Sequence, residues 1–344
     1  DLRMSRGLGD VYKRQLLNRS FSHIYIEKEA KQYEESKKII ERFPNSQIVE
    51  IDDYKEIFSK NNQNFSLQKR TPKLILAVKK ENYLYEGAKV CESFGNENFY
   101  YSSSILNCIY DCEYCYLQGV YSSGNIVIFV NLEDMFQEIE RILKEKSMYI
   151  CISYDTDLMA LEEVTGFVKR WYDFVAKYKN LKIELRTKSA SIKIFKDLKP
   201  NPNFIIAWTI SPKRFAQEHE RGAAPFELRV KSAKILIDSG WTVRICFDPM
   251  IKVENFYEIY GEMVRETFKE IDSKKILDVS IGTFRISKEY MKRMKNNRKN
   301  SLILNYPFQC QDGVYSYPLD ENSKMLEYMK NLILEYVEES KIFI

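Results

Sequence analysis

Three cysteines, Cys108, Cys112 and Cys115 in CIYDCEYCYLQ, are the residues of this chain best suited to chemistry. Their Cys-x3-Cys-x2-Cys spacing offers three thiolates from one short loop, with no fourth cysteine nearby. Iron–sulfur clusters are held by cysteine thiolates, and three thiolates bind three irons of a cubic [4Fe–4S] cluster while leaving the fourth iron open. Zinc is the competing reading. A structural zinc site wants four tetrahedral nitrogen or sulfur ligands, commonly two CxxC pairs or one pair with two histidines. Only Cys112 and Cys115 have the pair spacing, and His23 and His219 lie far apart. A buried, inert cysteine group is the plainer alternative, but three thiols this close point to a metal or a disulfide. The cluster is the expectation.

An open iron is what a cluster needs to bind S-adenosylmethionine (SAM) and cleave it reductively, and this spacing resembles the signature of the radical SAM superfamily.

The elements around the loop must position it. The chain has 344 residues, 44% of them hydrophobic, enough for one large domain or two unequal ones. A net charge of +4 permits a nucleic-acid partner without requiring one. Seven cysteines at irregular spacing, with no secretory signal, imply a reducing interior. No apolar run approaches the roughly 18–20 residues of a membrane helix, so a cytoplasmic location is expected. Residues 1–15, DLRMSRGLGDVYKRQ, lack hydrophobic periodicity and read as a non-native or disordered leader.

From Ser22 onwards strands and helices alternate. His23–Ile26, Ile48–Ile51 and Leu74–Val78 read as strands, with a helix over Glu29–Phe43. After the cysteine loop, strands are expected at Ile126–Val130, Met148–Ile152, Leu181–Leu185, Phe204–Ile210, Thr242–Phe247 and Leu277–Ile281. Asn131 should cap a helix through Leu132, Met135, Phe136, Ile139, Ile142 and Leu143. One helix should run through Val164, Phe167, Val168, Trp171 and Phe174, others over Phe226–Ser239 and Phe256–Glu270, and a last one over Asp320–Ile344. Such alternation implies a parallel sheet with right-handed crossovers. The fold class is α/β, a partial (β/α)6 TIM-like barrel of the radical SAM type. An N-terminal α/β segment (16–100) precedes the barrel with its Fe–S loop (101–285), and a basic segment, hairpin and helix follow (286–344). In TIM barrels chemistry sits at the C-terminal strand ends.

Several polar residues occupy such ends. Lys188 is suited to pairing with the SAM carboxylate, or is a solvated lysine. Thr209 and Ser211 in WTISP are placed to hydrogen-bond SAM, or to cap a turn. Asp248, in Asp248-Pro249-Met250, lies against the adenosine or marks a simple turn. Ser153, Asp155 and Asp157 in CISYDTD are active-site polar groups rather than a calcium loop, which would need a central glycine and a terminal glutamate.

With these segments in view, the chain resembles the spore photoproduct lyase family of radical SAM enzymes. CEYCYLQG is similar to the family's cluster loop, HIYIEKEA through LILAVKK to its N-terminal segment, and ERGAAPFELRV with SAKILIDSGW to a segment between its later strands. The likeness spans roughly Phe21 to Tyr317. It implies reversal of a thymine dimer in spore DNA: a 5′-deoxyadenosyl radical takes the dihydrothymine C6 hydrogen, the methylene bridge breaks, and the thymine allylic radical is quenched by a cysteine S–H. The matching cysteine is Cys151, and Tyr114 and Tyr116 match tyrosines that carry the radical back. On pattern alone Cys151 is a small buried hydrophobe and the tyrosines are packing residues. Cys91, Cys246 and Cys310 match no role.

A lesion must leave the base stack to reach such a site, and phosphate contacts must hold the strand. TFRISKEYMKRMKNNRKN concentrates Arg285, Lys288, Lys292 and Arg293, followed by Lys295, Arg298 and Lys299, although a charge run is also a common solvated helix face. The chain departs from the family pattern after Cys151, and at Gln309, where the family has an arginine before its hairpin turn. The expected partners are DNA with a thymine photolesion and an electron donor such as ferredoxin or flavodoxin. The alternatives are a related radical SAM enzyme with another nucleic-acid or small-molecule substrate, and a non-catalytic, metal-stabilised DNA-binding protein.

Overall fold

The computed structural model describes residues 21–88 and 91–344; the leader expected at 1–15 lies outside them. Packing groups the chain into two compact units. The first holds the described residues up to Tyr110 together with Tyr121–Arg186, the second Asp111–Val120 with Thr187–Ile344. The segments expected at 16–100, 101–285 and 286–344 follow chain order. The compact units do not: the first draws on residues from both sides of the cysteine loop, and the second joins Asp111–Val120 of that loop to Thr187–Ile344.

In the first unit a parallel sheet runs in the order Gln47–Ile51, His23–Glu27, Leu74–Ala77, Ile126–Phe129, with Ile105–Leu106 antiparallel at its edge. Leu74–Ala77 and Ile126–Phe129 are buried along their whole length, as unbroken apolar runs in parallel sheets are. Nearby, Leu84–Glu86 pairs antiparallel with Phe99–Ser102, followed in parallel by Met148–Cys151 and Leu181–Thr187. Phe136 of the helix Leu132–Leu143 stacks on Phe174 at 4.2 Å and meets Trp171 edge-on at 4.9 Å. Each such pair contributes about 0.5–1.5 kcal/mol beyond simple burial.

Three expectations for this unit are corrected. Asn131 stands at the N-cap position but does not cap with its side chain. Its Oδ1 accepts the Lys79 N–H at 2.8 Å and its Nδ2 donates to the Lys79 carbonyl at 2.8 Å. A buried strand end, 52 residues away in sequence, outcompetes the local bond. The helix through Val164 and Trp171 is two helices, Leu158–Thr165 and Phe167–Val175, meeting at Gly166 with φ +67°. The Glu162 carboxylate accepts the Val168 and Lys169 N–H groups at 2.7 and 3.1 Å, satisfying donors that the second helix leaves open. The helix expected over Glu29–Phe43 is a 3-10 turn, Glu29–Gln32, and a helix, Glu34–Glu41, separated by extended Tyr33.

In the second unit Phe204–Thr209, Val243–Met250, Val279–Thr283 and Ile342–Phe343 lie side by side in parallel. Helices Lys213–His219, Phe226–Asp238 and Phe256–Glu270 alternate with them. Asp248-Pro249 is not a turn after its strand. The strand continues through it to Met250, with a register shift against Val279–Thr283. The last helix spans Leu319–Leu334, not Asp320–Ile344, and Ile342–Phe343 adds to the Val279–Thr283 strand. Polar Glu338–Lys341 breaks the helical stripe, and an open sheet edge offers its backbone groups to the apolar tail. Arg285–Ser287, Val314–Ser316 and Gln309–Gln311 form a small antiparallel sheet turned at Asp312-Gly313, both with positive φ. No helix among the described residues is long and apolar enough to cross a membrane.

Candidate active site

The cysteine loop is built by buried polar anchors. Asn107, at φ +73°, accepts the Cys108 N–H on its side-chain oxygen at 3.0 Å and donates to the Ser123 and Asn125 carbonyls at 2.8 and 3.0 Å. Buried Lys69 donates to the carbonyls of Cys108 and Tyr110, and the Tyr110 N–H points at Cys108 Sγ at 3.4 Å. In the second unit Asp111–Cys112 pairs antiparallel with Glu220–Arg221. The Cys115 N–H donates to the Cys112 carbonyl at 3.2 Å, and the short helix Leu117–Val120 follows. All three cysteines are free; Cys112 is buried, and Cys108 and Cys115 are half-buried. Among the described residues no three His, Cys, Asp or Glu side chains converge on a single ion site.

Beside Cys112 lies a buried charge network that sequence reading only half anticipated. Glu220 accepts from Arg229, from Lys188 (2.9 Å), from Ser211 Oγ (2.8 Å) and from the Tyr114 hydroxyl. Lys188 Nζ also donates to the Tyr114 oxygen at 2.6 Å and stands 3.8 Å from Cys112 Sγ. Arg229 donates to the Thr209 carbonyl at 3.1 Å and the Ala224 carbonyl at 2.6 Å. So Lys188, Ser211 and Tyr114, read separately from sequence, meet in one network, which Thr209 joins only through its backbone carbonyl, and Lys188 is not a solvated lysine. Burial pushes the Glu220 carboxyl up, but Arg229 and Lys188 outweigh it and hold it well below the usual carboxylate range. Burial likewise opposes the Lys188 charge, yet Cys112, Glu220 and Tyr114 raise its pKa overall. Lys188 and Arg229 bring two positive charges against one negative charge on Glu220. Ionisation of Cys112 on binding iron would add a second negative charge beside Lys188.

Sequence reasoning missed Glu220, Arg229, Lys69 and Asn107. The first two stood in view in ERGAAPFELRV, where an arginine on the buried face of an amphipathic helix demands a partner.

In the first unit Cys151 ends its strand, opposite Glu184 and Tyr101 on either side, and is buried. Ser153 Oγ accepts the Arg186 N–H at 2.7 Å. Asp155 accepts from Ser103 and is buried beside Tyr121 and Lys79. Asp157 is the N-cap of the helix Leu158–Thr165, its Oδ1 accepting the Ala160 N–H at 3.1 Å. Asp157 therefore serves the backbone through one of its oxygens.

The basic residues divide by role. Arg285 donates to the Thr283 carbonyl at 3.1 Å and stands 3.6 Å from Asp248, so those two candidates face each other. Arg293 is spent on the carbonyls of Gly119 and Val120 at 3.2 and 3.0 Å, with Asn297 on that of Gln118 at 3.1 Å. Arg298 pairs with buried Asp111 and with Gln118 Oε1. The basic helix Lys288–Asn297 thus clamps the segment carrying Cys112 and Cys115, while Lys288 and Lys292 remain exposed.

A family model for spore photoproduct lyase matches residues 20–343. The chain belongs to the spore photoproduct lyase family. The spore photoproduct lyase of Clostridium acetobutylicum is 23% identical over 338 residues, covering 94% of this chain and 98% of that protein. The fold is shared with a solved spore photoproduct lyase complexed with dinucleoside spore photoproduct, at TM-score 0.80 and 17% identity over 94% of this chain and 98% of that one. A double mutant with bound AdoMet and dinucleoside spore photoproduct matches at TM-score 0.81 and 17% identity, over 94% and 97%. As a member of the family, this lyase is a radical SAM enzyme that uses a [4Fe–4S] cluster and SAM.

Thiols are the donors that such a cluster takes. Cys108, Cys112 and Cys115 are the thiols that would hold it, with the Tyr110 N–H on one sulfur and Lys188 near another, interactions of the kind that tune cluster potentials. Burial pushes the Cys112 thiol up to about 12, against the pull of Lys188, so iron must meet the cost of its ionisation. Arg298→Ala strips the partner from Asp111, the residue before Cys112, at a cost of about 1–3 kcal/mol. The variant lyase should lose roughly half or more of its cluster on desalting, read as iron and sulfide per chain. Arg298→Lys should keep part of the loss from occurring.

Proposed function

We propose that this chain reverses spore photoproduct in DNA to two thymines, with Cys151 donating the hydrogen atom that quenches the product radical. The bound cluster and SAM together supply the 5′-deoxyadenosyl radical. Loss of the dihydrothymine C6 hydrogen lets the methylene bridge break, leaving an allylic radical on one thymine. Transfer of the Cys151 S–H hydrogen atom restores the methyl group and leaves a thiyl radical, to which Tyr116 or Tyr114 returns a hydrogen atom, and the phenoxyl radical so formed regains one from 5′-deoxyadenosine. Tyr114, buried with its O–H donated to Glu220, suits a fixed carrier; Tyr116 is half-buried. Lys188, Thr209, Ser211, Ser153 and Asp248 are proposed to serve SAM, either directly or by shaping its strand-end surroundings. Lys288 and Lys292, with Arg285, are proposed to hold phosphate. The reading includes a partial (β/α)6 barrel, supported by parallel strand–helix alternation within each unit. It also includes a reductant of the ferredoxin or flavodoxin kind.

The observation that carries this reading is the place of Cys151, buried at the end of its strand in a chain whose family model is that of spore photoproduct lyase. Hydrogen-atom donation needs the neutral thiol, because a thiolate has no hydrogen to give. Burial pushes the Cys151 thiol up to about 12, and the Glu184 carboxylate adds to the rise against the pull of Arg186. An ordinary thiol, at about 8.5, is mostly ionised by pH ~9.5. The ratio of restored thymine to radical adduct should therefore stay flat from about pH 7 to 10 and fall only as pH nears the raised value. Adducts rising already near pH ~8.5 would reject Cys151 as a protected donor.

The reading itself is tested by anaerobic incubation of the reconstituted, reduced enzyme with dinucleoside spore photoproduct. Release of thymidine pairs is expected. SAM cleavage without lesion repair would overturn it in favour of another substrate.

A further inference from the structure

The basic segment ends in a side chain that packing does not explain. Leu302 is 88% exposed, above every other large apolar side chain among the described residues. Its loop is not loose. Ser301 and Ile303 are buried and Leu304 fully so. The Ser301 N–H donates to the Arg298 carbonyl at 3.0 Å, the Leu304 N–H to Ser301 Oγ at 3.0 Å, and Asn305 Nδ2 to the Lys299 carbonyl at 2.9 Å. A leucine on a floppy loop would fold down onto apolar surface; this one is held outward by anchored neighbours on both sides.

Its electrostatic setting points to a partner. Lys288 and Lys292 of the basic helix and Lys299 just beyond its end are exposed, Lys299 three residues before Leu302, and they form no ion pair among the described residues. The next most exposed apolar side chain, Leu319 at 78%, adjoins Asp320 and Glu321, which would repel phosphate. Lysines followed by an outward apolar tip match duplex DNA, in which phosphates flank a base stack. Enzymes acting on bases must open that stack, and apolar wedges such as leucine do so by inserting between base steps.

We propose that Leu302 is an apolar wedge that inserts into duplex DNA beside the lesion, with Lys288, Lys292 and Lys299 fixing the adjacent phosphates. This rests on the lyase reading above, and it assigns Leu302 to opening of the duplex rather than to chemistry.

The test compares Leu302→Ala with the unaltered enzyme on the lesion in duplex DNA, in single-stranded DNA and as the dinucleoside. A base-stacking reporter, 2-aminopurine, is placed next to the lesion in the duplex. For the alanine variant, kcat/KM on duplex should fall by about tenfold or more, with the dinucleoside and single strand repaired as before. The fluorescence rise on duplex binding should be lost, and Leu302→Met should restore both. Equal duplex repair and an equal fluorescence rise in the alanine variant would overturn the proposal. So would a matching loss on the dinucleoside, which marks a role in folding or in the site. Failure of the lyase reading shows differently, as no dinucleoside repair by the unaltered enzyme, and the fluorescence arm then still decides the wedge.

Discussion

Cys151→Ala should consume the lesion nearly as fast as the unaltered enzyme and yet fail to make clean thymine. The thiol takes no part in SAM cleavage or in breaking the methylene bridge, so both should proceed within about threefold of normal. What is lost is the only S–H proposed to reach the allylic radical. Restored thymine should drop by at least about tenfold, replaced by adducts of the unquenched radical. Cys151 is buried at 7% exposure, and its removal leaves a cavity of one sulfur atom, so the fold should lose only about 1 kcal/mol. Product analysis by mass spectrometry, with SAM cleavage followed in parallel, separates chemistry from folding. Clean thymine from the variant would remove Cys151 from the mechanism. A fall in SAM cleavage equal to the fall in thymine would make it a structural residue.

The second large effect is expected at Glu220. Its side chain is fully buried, and it is the shared acceptor for Arg229, Lys188, Ser211 and Tyr114. Glu220→Gln keeps the shape and removes the one negative charge opposing two buried cations. Leaving buried charge uncompensated typically costs about 3–5 kcal/mol. For a chain of this size that corresponds to a melting midpoint roughly 4–7 °C lower. Because Glu220 pairs in register with Cys112, iron content should fall with stability. Removing Arg229 as well should cost less than the two single changes added together, since each deletion strands the other. Calorimetry and iron analysis on the single and double variants provide the check. A Glu220→Gln protein that melts normally and keeps its iron would show that the network is not what holds Cys112.

Much of the frame was legible because its causes are local. Three thiols at this spacing raise the expectation of a cluster before any fold is known. Runs such as IVIFV and LILAV become buried parallel strands because they are apolar throughout, and Phe256–Glu270 carries a helical stripe. Errors fell where a distant group outbid a neighbour. Asn131 gave up its cap to Lys79, and Gly166 split a stripe that is continuous in sequence. The C-terminal tail left its helix for a sheet edge.

The functional residues divide in the same way. Spacing and motif by themselves determined which cysteines could bind iron, that Cys151 ends a strand, and that a basic helix follows the last long strand. Only the tertiary structure decided how the charges are spent. It joined Lys188, Ser211 and Tyr114 through Glu220, turned Arg293 and Arg298 onto the cluster-bearing segment, and left Lys288, Lys292 and Leu302 facing outward. The reason is that a side chain's chemistry is written in its type, whereas its charge balance and exposure depend on partners brought close by folding. Tyr114 and Glu220 are 106 positions apart in the chain, and no local pattern links them.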